Sequence, residues 1–139
     1  MDRELLISQL ERHEGLRLHP YRDTVGKLTI GFGRNLDDVG ISRNEAEILL
    51  GNDIATVERQ LESVDEYQAL DPVRQAVICN MAFNLGFRGL MGFRRMWAAI
   101  SRQDWPEAAL EMTKSKWARQ VGVRAVELSE IMRTGEVQR

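Results

Sequence analysis

The chain reads as an α+β protein, with a small β-hairpin or sheet lobe and a larger helical lobe joined by a long helix. Three observations predict it. In "KLTIGFG", Leu28, Ile30 and Phe32 alternate with Thr29, Gly31 and Gly33, which is the period-two spacing of a strand. After Ser42, the residues Ala46, Leu49, Leu50, Ile54, Val57 and Leu61 form one apolar stripe at helical spacing. The segment "VRQAVICNMAFNLG" is apolar nearly all the way round, as befits the central buried helix of a lobe.

The elements follow in order. Residues 3–14 are an amphipathic helix, with Leu5, Leu6, Ile7 and Leu10 on its apolar side and Gly15 placed to end it. A strand near Leu18–Arg22 contains Pro20 and so belongs at a sheet edge. Gly26 marks the turn into the strand of "KLTIGFG". Ser42 and Glu45 form a capping box that opens the long helix, about 42–63, which spans about 30 Å at the usual rise per residue. Asp71-Pro72 is an N-cap followed by an N1 proline, and Gly86 stops that helix. Shorter helices follow around Leu90–Ser101, from Asp104-Trp105-Pro106 to Met112, around Ser115–Gln120, and over Val123–Arg133, with Gly135 as the end. The whole of 1–139 is one domain. Its sheet lobe spans about 15–41, and its helical lobe about 71–135 together with the N-terminal helix.

Composition narrows the function. Hydrophobic (43%) and charged (29%) contents are ordinary for a soluble globular chain, and no apolar run is long enough to cross a bilayer. "MDRELLISQLERHEG" mixes charge into every turn, so no signal peptide is expected and the chain should stay in the cytoplasm where it is made. Cys79 is the single cysteine, expected as a small buried hydrophobe, and His13 and His19 are the only histidines. Neither a metal nor a cofactor is expected. Charge is uneven: Asp37–Asp71 holds ten acids and two arginines, and Arg88–Arg124 holds eight basic residues and three acids. Such a basic stretch is either a solvated surface or one that faces a polyanion such as a cell wall. Nothing marks a dedicated nucleic-acid binder.

The candidate chemistry lies in "EGLRLHPYRDTVGKLTIGFG". Glu14 stands at a helix C-terminus, where the macrodipole disfavours an anion and favours the protonated form a general acid needs. Asp23 supplies a second carboxylate, and Thr29 a hydroxyl on a strand face that Gly31 and Gly33 leave open for a bulky ligand. Taken singly, each also fits a bland role: a surface glutamate, turn chemistry, a twisted strand. Taken together, two carboxylates and a hydroxyl suit glycoside hydrolysis, one acid protonating the leaving oxygen while the other helps a water or attacks directly. The chain has no G-x-S-x-G and no Walker lysine.

"HEGLRLHPYRDTVGKLTIGFG" closely resembles the active-site segment of phage-type lysozymes, the endolysins of glycoside hydrolase family 24. It shares their E-G-x-x-L…Y-x-D…T-I-G-x-G frame. "NEAEILLGNDIATVERQL" is similar to their inter-lobe helix, "NMAFNLG" to the buried helix of their larger lobe, and "WPEAALEMTKSKWARQ" with "RTG" to their closing helices.

The resemblance implies a lysozyme-like fold and hydrolysis, with inversion, of the β-1,4 bond between N-acetylmuramic acid and N-acetylglucosamine in peptidoglycan. Glu14 would be the general acid, Asp23 the second carboxylate and Thr29 the neighbour of the attacking water. Arg124 matches an arginine that pairs with the catalytic glutamate, which would hold Glu14 ionised against the dipole. Asn84 and Gln120 match positions that line the cleft, where a satisfied amide is the competing role. A monomer released to the wall by a holin is implied, with no partner beyond the glycan strands and no stable membrane insertion. A lytic transglycosylase or chitinase-like enzyme, or a non-catalytic wall-binding protein, are the alternatives. T-even members of the family carry a histidine where this chain has Arg34, and the stretch from Leu36 to Ser42 is short, which predicts a trimmed sheet lobe.

Overall fold

The computed structural model describes residues 1–137. The chain forms two compact units, Met1–Leu49 and the remainder from Leu50.

In the first unit, α1 (Arg3–Glu14) starts at Asp2, whose carboxylate accepts from Leu5 N at 3.0 Å. The helix stops at Gly15, where φ is +70° and the N–H still reaches Glu11 O. The chain then enters an antiparallel sheet of β1 (Arg17–Arg22), β2 (Leu28–Gly31) and β3 (Arg34–Asn35), in that spatial order. The proline-bearing β1 is an edge strand, as expected, and its register with β2 slips between Arg17 and Tyr21.

Two features differ from the sequence reading. The strand of "KLTIGFG" ends at Gly31 rather than Gly33, because Gly31 (φ +71°) and Gly33 (φ +79°) both take left-handed backbone and turn the chain. That turn returns a third strand, pairing Thr29 with Asn35 and Ile30 with Arg34, which the period-two pattern alone does not announce.

Arg34 ties this sheet to the next helix. Its Nη1 donates to Gly40 O at 3.1 Å and to Glu45 Oε1 at 2.9 Å. Glu45 is also the third residue of the expected capping box: Ser42 Oγ accepts from Glu45 N, and Glu45 Oε1 accepts from Ser42 N. The bond from Arg34, then the one from Ser42 N–H, hold the Glu45 carboxyl down to about 2, against an ordinary 4.5. A carboxyl depressed in the folded state stabilises it fully above the ordinary value, and that contribution vanishes as pH falls toward 2. Glu45→Gln keeps the capping geometry and removes the charge. We expect it to lower Tm slightly at pH 7, the gap closing between pH 4.5 and 2 in thermal melts. A gap that persisted at pH 2 would contradict this account.

The helix so capped, α2 (Arg43–Leu61), contains the boundary between the units. Five more of the elements that follow are those expected: α4 (Pro72–Met91), capped by Asp71, α5 (Arg94–Ser101), α6 (Trp105–Thr113), capped by Asp104, α7 (Lys116–Val121), capped by Ser115, and α8 (Val123–Thr134). A one-turn α3 (Asp65–Gln68), absent from the sequence reading, precedes them. Gly86 does interrupt α4, with φ +76° and ψ 161°, but helix resumes and runs to Met91. Leu90 therefore belongs to α4, not to the start of α5.

The buried apolar core lies wholly in the second unit. Leu61, Val77, Ile78, Met81, Leu90, Met96, Met112 and Met132 are its largest fully enclosed side chains, and α8 packs on α4, α6 and α7. Helix α4 is less enclosed than its composition suggests: Phe83 is exposed and Cys79 only half-buried, its sulfur 3.3 Å from the Tyr67 hydroxyl. Among the described residues no single helix is long and apolar enough to cross a membrane.

Candidate active site

Glu14, Asp23 and Thr29 all belong to the first unit. Glu14 is the last residue of α1, so its side chain leaves the helix where the backbone breaks away at Gly15. Its carboxylate makes no hydrogen bond within that unit and lies against the backbone of Gly33. A Cβ built on Gly33 would stand 2.6 Å from Glu14 Oε2, 2.9 Å from Cδ and 3.2 Å from Cγ. This corrects the reading of two open glycines. Nothing approaches a Cβ on Gly31 within 4 Å, but the room at Gly33 is filled by Glu14 itself.

Asp23 begins the turn between β1 and β2. Its Oδ1 accepts from Val25 N at 3.0 Å and Lys27 N at 2.8 Å, and its own N–H donates to Lys27 O. The turn thus depends on one carboxylate oxygen, and Oδ2 has no such bond among the described residues. Gly26 closes the turn at φ +83°.

Thr29 is the one buried residue of the first unit, 4% exposed. Its hydroxyl donates to Lys27 O at 2.9 Å. With its single proton committed there, Oγ1 can act toward any further group only as an acceptor. Two hydrogen-bond acceptors on one hairpin, the free Asp23 oxygen and Thr29 Oγ1, are suited to orienting a water.

The remaining candidates lie in the second unit. Asn84 Oδ1 accepts from the Trp117 indole at 2.7 Å, and Trp117 packs edge-on against Phe93. The Asn84 amide nitrogen has no acceptor among the described residues. Gln120 is exposed near the end of α7. Arg124, in the first turn of α8, donates from Nε and Nη2 to Asn80 Oδ1 at 2.9 and 2.7 Å. Asn80 escaped the sequence reading, although its place one helical turn before Asn84 was a usable signal. Leu50, Ile54, Ala76, Cys79, Asn80, Phe83 and Arg124 line a shallow hollow of about 300 Å³.

The phage lysozyme family model matches residues 11–133, nearly the whole chain. The chain belongs to the phage lysozyme family. It is 29% identical to "Probable T4-type lysozyme 1" of Dictyostelium discoideum, over 91% of this chain and 92% of that protein. It is 30% identical to "Pre-baseplate central spike protein Gp5" of Enterobacteria phage T4, where 96% of this chain covers only 28% of the spike. An "Endolysin" of Acyrthosiphon pisum secondary endosymbiont phage 1 is 37% identical over 55% of this chain. The α+β, lysozyme-like fold expected from the sequence is the one observed.

Proposed function

We propose that this lysozyme-type hydrolase is a muramidase endolysin, cleaving the β-1,4 bond between N-acetylmuramic acid and N-acetylglucosamine with inversion. The observation that carries the reading is the arrangement on the first unit: a carboxyl at Glu14 set against Gly33 of the small sheet, whose first hairpin bears a second carboxylate and an accepting hydroxyl. Glu14 protonates the leaving oxygen. Asp23 Oδ2 and Thr29 Oγ1 accept the two protons of a water and aim its lone pair at the anomeric carbon from the opposite face. As the bond breaks, the water gives up one proton to the carboxylate, and the sugar is released with inverted configuration.

Asn84, Gln120 and Arg124 serve as contacts to the glycan, Asn84 through its amide nitrogen. Arg88, Arg94, Arg95, Lys116 and Arg119, cations without an ion pair among the described residues, face the anionic wall. The protein acts as a monomer that collects in the host cytoplasm and reaches the wall in the periplasm through a holin lesion. Digestion of soluble glycan strands, followed by NMR of the fresh products, tests the reaction. Inverting hydrolysis gives new reducing muramic ends as the α-anomer first. Anhydro ends would establish transglycosylation instead, and tight binding without cleavage would establish a wall-binding protein.

The match to the T4 spike supports a second role, as a module of a virion spike. Mass spectrometry of purified virions separates the two: an endolysin is absent from the particle and abundant in the lysate.

A further inference from the structure

We infer that Gly33 is a positioning residue: its missing side chain is the seat of the Glu14 carboxyl, and the contact between them aims the acid. The inference rests on the reading of Glu14 as the general acid. A Cβ on Gly33 would crowd three successive atoms of Glu14, at 2.6, 2.9 and 3.2 Å. The carboxyl therefore occupies the space a side chain on Gly33 would take, and within its unit no hydrogen bond or ion pair holds it elsewhere. That close approach to Gly33 limits the directions open to a side chain that is otherwise exposed.

Backbone conformation alone does not demand this. Gly15, Gly26, Gly31 and Gly40 also have φ between +65° and +83°, yet a Cβ on any of them meets nothing within 4 Å. Gly33 differs from these four in what occupies the vacant volume. The displaced group would be the far end of a rotatable side chain, so a methyl at residue 33 redirects Glu14 without obstructing the fold.

Gly33→Ala tests this beside Gly40→Ala, which carries the same left-handed backbone cost far from Glu14 in the chain. Misplacing a reacting group by about 1 Å costs on the order of 100-fold in rate. We expect Gly33→Ala to lose about that factor in kcat on soluble glycan strands, with KM little changed. It should melt no lower than Gly40→Ala. The ¹³C resonance of the Glu14 carboxyl should move in Gly33→Ala and stay in Gly40→Ala. In a Glu14→Gln background Gly33→Ala should cost nothing further, because its effect passes through the acid. The inference is overturned if Gly33→Ala retains the kcat of Gly40→Ala, or loses as much again in the Glu14→Gln background. A Glu14→Gln protein with full activity would instead remove the reading of Glu14, while the carboxyl resonance would still report whether the contact exists.

Discussion

Glu14→Gln is expected to lower the rate of lysis of outer-membrane-permeabilised cells by about 1,000-fold, within the range general acid catalysis supplies. The amide has the shape of the carboxyl and can keep its place against Gly33, but it has no proton of useful acidity for the leaving oxygen. Fold should be untouched: Glu14 is exposed and makes no hydrogen bond within its unit. The melting temperature should therefore match the wild type, which separates lost chemistry from lost structure. Turbidity falling equally fast with both proteins would end the assignment of Glu14.

Asp23 allows a finer division of the same kind. Asp23→Asn keeps a side-chain oxygen for Val25 N and Lys27 N, so the turn survives while the negative charge goes. Asp23→Ala removes both. We expect both variants to lose lysis and only the alanine to lose melting temperature. If the asparagine variant lyses normally, Asp23 is a turn residue and nothing more.

How far the sequence carries the argument depends on how local each cause is. The capping box at Ser42 and Glu45, the Asp71-Pro72 start and the caps at Asp104 and Ser115 are chemistry within four residues, and all of them are legible. Strand β3 is two residues long, too short for any periodicity, and exists because Gly31 and Gly33 reverse the chain. Helix α3 is a single turn with no side-chain cap, so it leaves no signature either. The three acid and hydroxyl candidates were visible as residue types and as a family frame. Their surroundings were not: Glu14 meets Gly33 nineteen positions on, and Arg34 finds Glu45 eleven positions on. Those contacts are made by tertiary folding, which is why the sequence shows Arg34 only as a departure from the family and Gly33 only as open floor.

The largest stability effect should come from Arg74, a cation in the second unit that the sequence shows only as one polar residue in an apolar helix. It is 9% exposed. Its Nε donates to Met132 O at 2.7 Å and its Nη2 to Arg133 O at 3.3 Å, carbonyls in the last turn of α8 that have no partner within the helix. Its Nη1 donates to Asp71 at 3.0 Å, and the guanidinium lies 4.0 Å from the centre of the Trp105 ring. One planar group thus closes α8, the start of α4 and the first residue of α6 together. Gly135 itself has φ +73°, which favours glycine, and a Cβ there would come within 2.8 Å of the same Nη1 and push the guanidinium off its carbonyls.

Truncating a buried, multiply bonded cation of this kind costs about 3 kcal/mol, so Arg74→Ala should lower Tm by roughly 10 °C. Lysine should recover little, because a point ammonium cannot bond in three directions and stack at once. Asp71 provides the internal control. Burial pushes its carboxyl upward, but the bonds from Arg74 N and the guanidinium outweigh burial and hold it below the ordinary 3.8. That contribution is present above the ordinary value and lost on acidification. In Arg74→Ala the acid-side loss should therefore flatten, leaving the Asp71 N-cap alone. Equal melting of wild type, Arg74→Ala and Arg74→Lys would show that hydrated carbonyls close α8 as well as the guanidinium does.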